Sequence, residues 1–409
     1  MALSTKHVSG LVLILFCMII PAWAGNSIFS FDGFPNQYYG NDIYGLSMGD
    51  TGMADTYRLN TGFGNPALIA RTKNAVFSTG VMFGYTNYKD DTNKKFRDNS
   101  LDFPYFNMVI PISNHKLGFQ FQSLSSGIVN DQRTITPADT TEISYTERNA
   151  VDSYLYRVDF MYSYPYKYFD FGIALNYYLG HETHSISQDS GNSPFNTFYS
   201  LYKTYDNPGV SIGFIKKMKK MSTALTYVSA AKLTGDSELK SIQITNDLGK
   251  SEYNLPNRFS LGMTLNHNDK FRSSYEIHYD MWNAANNPEN TEDSWKIGVG
   301  ADYIANNNAD HFLARMPLRA GLSWRRLPFL KNGNAIDEKS ASIGLTLPLK
   351  NPDNRIDLGF IFSMRGDKSK NLVQENSAMF LLGITGFDIF TREHRRTEPR
   401  EIPKVEEIE

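Results

Sequence analysis

Residues 258–281 read RFSLGMTLNHNDKFRSSYEIHYDM, and this stretch decides the fold. Phe259, Leu261, Met263 and Leu265 interleave with Arg258, Ser260, Gly262 and Thr264. After a short polar turn, Phe271, Tyr275, Ile277, Tyr279 and Met281 interleave with Arg272, Ser274, Glu276, His278 and Asp280. Alternation with period two marks a strand whose faces meet different surroundings. Each run spans about ten residues, enough for a tilted strand to cross a bilayer. Soluble strands more often run about five or six.

Working outward, the same pattern recurs in fourteen segments, centred near residues 80, 107, 120, 158, 174, 212, 225, 262, 276, 299, 320, 345, 360 and 382. Short turns (113–116, 166–169, 216–220, 266–270, 350–354, with 304–316 somewhat longer) take turns with long polar stretches. The latter fall at 87–100, 124–150, 181–207, 230–255, 283–293, 326–339 and 366–376, and read as loops. A soluble β-sandwich has no reason to sort its connections this way; an outer-membrane barrel does. The expected fold is all-β: one 14-stranded antiparallel transmembrane β-barrel, its apolar face toward lipid and its polar face toward the lumen. An unpaired Arg or Lys facing mid-membrane lipid costs about 2–4 kcal/mol. An even strand count leaves both termini in the periplasm. Tyr154, Tyr164, Tyr279, Trp282, Trp295 and Trp324 are expected at the interfacial girdles, in contact with lipid and lipopolysaccharide.

Composition agrees. The 409 residues are hydrophilic on average, 21% charged, yet carry 27 Phe and 24 Tyr. That excludes a helical membrane bundle, which needs repeated apolar runs of about 20 residues, and it excludes disorder. A net charge of -2 gives nucleic acid no basic surface. Residues 1–24 read as a secretory signal peptide: Lys6, an apolar run from Gly10 to Ile20, then Ala22-Trp23-Ala24. Cys17, inside that segment, is the only cysteine, so disulfide and cysteine–metal chemistry are excluded from the exported chain.

Residues 25–73 do not alternate, and they are rich in glycine. They contain Tyr44-Gly45-Leu46-Ser47-Met48-Gly49-Asp50-Thr51-Gly52, then Gly64-Asn65-Pro66-Ala67-Leu68-Ile69. This stretch, the strand that follows it, Leu255-Pro256 opening a later strand, Tyr275-Glu276-Ile277-His278-Tyr279 and Trp282 together resemble the FadL family of outer-membrane long-chain fatty-acid transporters. The resemblance covers essentially the whole exported chain. It implies an N-terminal hatch at 25–73 plugging a barrel at 74–390, with Asn65, Pro66 and Ala67 in the hatch motif. It implies that hydrophobic small molecules enter through a groove in the outer loops and leave sideways through the barrel wall. Relatives in that fold family serve instead as protein shuttles in secretion, which keeps a protein-interaction barrel as the alternative. One departure is the tail 391–409, whose five basic and six acidic residues are expected to form a flexible periplasmic extension that contacts a partner or stays solvated.

Candidate ligand residues fall in two groups. Ser193-Pro194 reads as a helix start, after which Phe195, Phe198, Tyr199 and Tyr202 recur at spacings of three and four, giving one aromatic helical face. In the lumen, Arg157, Arg272, His278 and Arg319 are candidates for a carboxylate ligand, since Arg pairs bidentately with carboxylate. Pairing with one another, among Asp159, Glu276 and Asp280, or with the hatch is the competing expectation. His181 and His184 lack a supporting metal-ligand motif. No catalytic motif stands out, and neither enzymatic activity nor a cofactor is expected.

Overall fold

The computed structural model describes residues 27–386, apart from 32, 35–37, 62–63, 91–94, 137–143, 192–195, 286–290, 305–314 and 350–353. The expected signal peptide, Phe195 and the 391–409 tail lie outside the described residues. Fourteen antiparallel staves close a barrel: β1 (Val76–Asp90), β2 (Lys95–Asp102 and Tyr105–Ile112), β3 (His115–Ile135), β4 (Tyr145–Pro165), β5 (Asp170–Asp189), β6 (Thr197–Lys217), β7 (Met221–Val228 and Ala231–Ser241), β8 (Thr245–Leu255 and Arg258–Asn268), β9 (Phe271–Asp280), β10 (Ser294–Tyr303), β11 (Leu318–Lys331), β12 (Asn334–Pro348), β13 (Arg355–Arg365) and β14 (Val373–Gly386). β14 pairs back onto β1, from Phe77 opposite Gly386 to Asp90 opposite Val373, so the sheet closes on itself. Three staves are broken in two. Pro104 and Pro256 sit at two of the breaks and offer no N–H to a ladder. Among the described residues no helix is long and apolar enough to cross a membrane.

The alternation sorts as its chemistry demands. Phe259, Leu261, Ile277, Leu322 and Phe360 are exposed on the outer face, while Ser260, Glu276, His278 and Asp280 are buried toward the lumen. Tyr154, Tyr164, Tyr279, Trp295 and Trp324 lie on the outer parity, and the Trp295 and Trp324 rings meet at 4.9 Å. Trp282 is different: it is 3% exposed, stands 6.1 Å from Tyr253 and donates to Ser294 Oγ at 3.1 Å. It lies just past the end of β9, where strand parity no longer governs direction, and so belongs to the interior instead of the girdle.

Most of the stretches read as polar loops are instead strand. β3, β4 and β6 each run 21 residues, and their ladders continue to Ile135 opposite Tyr145 and to Gln188 opposite Thr197. Toward these far ends polar residues occupy both faces of the wall, so the apolar–polar contrast disappears while backbone pairing persists.

The N-terminal segment packs against the inner face of this wall. From Ile43 to Ile69 it visits the staves in nearly reverse chain order, over inward glycines. Ile43 lies over Gly383 of β14, Ser47 over Gly359 and Gly344, Met48 and Gly49 over Gly321 and Gly300, Met53 over Gly262, and Asn65 to Ala67 over Gly213 and Gly172. A Cβ at Gly359 would stand 2.6 Å from Ser47 Cβ, and at Gly321 it would overlap the Gly49 backbone. We call residues 43–61 and 64–71 the belt.

Candidate functional site

The belt is fastened to the lumen wall by buried ion pairs. Asp42 receives Arg58 at 2.5 Å and Arg355 at 2.9 Å, and Arg355 also holds Asp357 at 2.8 Å. The Tyr44 ring lies under three guanidinium groups, with Arg319 at 4.1 Å, Arg58 at 4.4 Å and Arg355 at 5.5 Å, and its hydroxyl donates to Asp302 at 2.8 Å. Glu276 is the central clamp. Its carboxylate accepts the Gly52 and Met53 backbone N–H groups at 2.8 and 3.0 Å, lies 2.5 Å from His278 Nε2 and stands 3.6 Å from Lys296. His278 Nδ1 meets Ser260 Oγ at 2.7 Å. Ser, His and Glu thus stand in the order of a hydrolytic triad, but all three are buried under the belt, where the carboxylate serves backbone N–H groups.

The lumen candidates are therefore occupied with one another. Arg157 forks onto Asp159 at 2.9 and 3.0 Å, Arg272 pairs with Asp302, and Arg319 holds Ser47 at 2.5 Å and Thr346 at 2.8 Å. Arg272 and Asp302 stand opposite each other on adjacent strands, whereas Arg157 and Asp159 share one face of a single strand and Arg319 turns to the belt. Asn65 caps a short helical turn (Pro66–Arg71) by accepting from Ala67 N at 2.9 Å, and it donates to the Phe214 carbonyl at 3.3 Å.

The aromatic group does not form a helix. Phe198, Tyr199 and Tyr202 lie on β6, paired with Ser187, Ile186 and Thr183 of β5. In a strand a spacing of four keeps one face, while a spacing of one or three changes it. Phe198 and Tyr202 thus share a face and Tyr199 takes the other. The helical reading fails because β6 continues outward through a run with no polar alternation. His181 packs against Tyr154 at 4.2 Å and Tyr202 at 5.3 Å, whereas His184, on the opposite face, meets Glu182 at 2.6 Å. The two histidines cannot share a metal, and among the described residues no metal-ligating group gathers. Burial pushes Glu182 up, but His184, Lys203 and the Tyr205 hydroxyl outweigh it and hold the carboxyl down to about 2.

Two features not read from the sequence complete the site. An apolar pocket, with Phe34, Tyr38, Tyr178, Tyr253, Trp282 and Leu155 among its lining, spans from β3 and β4 to the breaks in β7 and β8. Phe34 stands edge-on to Tyr253 at 5.1 Å. Arg157 and Arg258 reach this pocket already neutralised, the latter by Asp280 at 2.5 Å. Inward parity is the signal that locates Leu155 on β4 and Tyr178 on β5; Phe34, Tyr38 and Trp282 lie outside the strands. The second feature is a seam. β1 pairs with both halves of β2, but only the lower half, Tyr105–Ile112, pairs onward to β3. Above Ser123, whose N–H donates to Pro104 at 2.9 Å, no ladder among the described residues joins Lys95–Asp102 to β3. At the foot of the seam Ser126 Oγ donates to Asp102 at 3.2 Å, and Tyr38 N–H donates to the Leu124 carbonyl at 2.8 Å.

A model of the BamG family matches residues 5–391. The chain belongs to the BamG family. No protein of curated function matches it in sequence. Its fold is that of FadL-type barrels. A Pseudomonas aeruginosa FadL homologue superposes with a TM-score of 0.61 at 13% identity, covering 86% of this chain and 99% of that one. The Ralstonia pickettii toluene transporter TbuX gives 0.59 at 15% (85% and 98% covered), and the Pseudomonas putida toluene transporter TodX 0.59 at 16% (86% and 99%). At these identities the likeness is one of fold, and it bears out the barrel expected from the FadL resemblance.

Proposed function

We propose that this BamG-family barrel sits in the outer membrane and takes up small, uncharged hydrophobic molecules, of aromatic size and not long-chain fatty acids. The ring-lined pocket carries the reading. Pockets of this kind bind through apolar walls with few polar groups. Both arginines that reach it are already matched to carboxylates, so a fatty-acid headgroup would have to displace Asp159 or Asp280. The printed descriptions of TbuX and TodX as toluene transporters favour the same class. The belt packs along the inner wall, which favours a sideways route, where Leu124 and Ser125 link the pocket to the seam. Equilibrium binding of radiolabelled toluene and oleate to the purified protein tests this: toluene binds saturably, oleate weakly or not at all. Tight oleate binding with no toluene binding sinks it.

A second reading, a barrel that engages other proteins, is favoured by the walls. Strands that rise hydrogen-bonded beyond the lipid band on β3 to β6 present a rigid surface outside. A transporter does not need them. In either role no catalysis and no cofactor is proposed.

A further inference from the structure

We propose that the outer face of the upper wall, across β3, β4 and β5, binds the saccharide headgroup of the outer-leaflet glycolipid. The inference rests on the outer-membrane placement proposed above and is independent of what the interior pocket takes up. The outward positions there form a depression of about 360 Å³, within the range of ligand sites at about 300–1,000 Å³. Asn130, Ala150 and Ser185 make one rung of its lining, and Gln132, Arg148 and Ser187 the next. The two faces of these strands use their polar groups differently. On the lumen side Glu147 pairs with Arg133 and accepts from Asn149 at 3.1 Å and Gln188 at 3.2 Å. On the outer side Asn130, Gln132, Arg148, Ser185 and Ser187 make no side-chain hydrogen bond or ion pair among the described residues.

The small side chains of Ala150, Ser185 and Ser187 keep the floor low. Around them amide and hydroxyl groups offer donors and acceptors to sugar hydroxyls, and the Arg148 fork suits a phosphate or carboxylate on the sugar. Phe198 of β6, exposed and paired with Ser187, adds an aromatic edge for the apolar face of a sugar ring. Height decides the occupant. The outward column of β4 is apolar from Tyr164 to Tyr154, and that of β5 up to Leu179, which pairs with Tyr156. On a strand tilted by about 40°, Tyr164 to Tyr154 rises about 25 Å, the height of an outer-membrane apolar band. By the same rise Ala150 and Arg148 stand about 10 and 15 Å above that band, whereas phospholipid headgroups extend only about 5–8 Å beyond the hydrocarbon. A headgroup of several sugars reaches the groove, and a phospholipid does not.

The test titrates the purified full-length barrel with de-acylated saccharide from the organism's own lipopolysaccharide, followed by calorimetry. Expected is saturable binding, weakened about tenfold by Arg148→Ala and abolished by Ser185→Trp, which fills the floor. Both residues face outward, so both variants should keep folded, heat-modifiable migration. Phosphatidylglycerol micelles should not compete, and inorganic phosphate should compete far more weakly than the saccharide. In whole membranes a photoreactive residue at Gln132 should give lipopolysaccharide adducts. Absence of saccharide binding, binding that both folded variants leave unchanged, equal competition by inorganic phosphate, or protein adducts alone at Gln132 each overturn the proposal. Fractionation of the same cells separates the two readings. A barrel recovered outside the outer membrane removes the placement, whereas an outer-membrane barrel that ignores the saccharide removes only this site.

Discussion

The lower barrel and its upper walls are built from the same strands but held by different physics. Below, each stave meets the belt: glycines admit its backbone, and carboxylates such as Glu276 take N–H groups that would otherwise be buried without partners. Above, the staves hold one another by backbone pairing, with exposed ion pairs such as Arg133 with Glu147 on their surface. The same substitution should therefore be severe in one region and silent in the other.

The largest effect is expected from Gly321→Val. Its side chain would occupy the place of the Gly49 backbone, which cannot shift as a flexible side chain can. Overpacking ordinarily costs about 1–3 kcal/mol; against backbone it should exceed that and leave no heat-modifiable barrel in the membrane. A normally folded Gly321→Val barrel would show that the belt is loose and would erase the contrast. Next comes Glu276→Ala. Removing one partner of a buried ion pair costs about 3–5 kcal/mol, read as a lower urea midpoint of unfolding from lipid vesicles. Trp282→Ala should act on binding more than on folding, weakening toluene by about tenfold, or 1.4 kcal/mol. Unchanged affinity would separate the pocket from uptake. At the small end, Arg133→Ala in the upper wall should leave the urea midpoint where it was, because exposed ion pairs contribute little.

The same division explains what could be read from the sequence. Where one face met lipid and the other the filled lumen, alternation gave every stave centre, and it placed Arg157, Arg272, His278 and Arg319 inside. Of their partners, Asp159 and Glu276 lie two residues away on the same strand and face, Asp302 stands opposite Arg272 in the ladder, and Ser47 comes from the belt, which the alternation does not reach. Where both faces carry polar residues, the pattern vanishes, and strands read as loops. Phe198, Tyr199 and Tyr202 then looked helical because spacings of three and four are ambiguous without a polar counter-face. The belt has no periodicity at all: its path is set by glycines spread over nine staves, each of which looks unremarkable locally. The pocket was illegible for a related reason, since Phe34 and Trp282 come from segments outside the strands. Pro104 and Pro256 were the available signs that staves break.

Ile43 touches Gly80 on the first stave and Gly383 on the last, so it lies across the join that closes the barrel. This early part of the chain is thus seated only when the final strand arrives. Closure and seating become a single event. An unfinished barrel would hold neither its join nor its filling, and the two should appear together in time, with no long-lived empty shell between export and the finished protein.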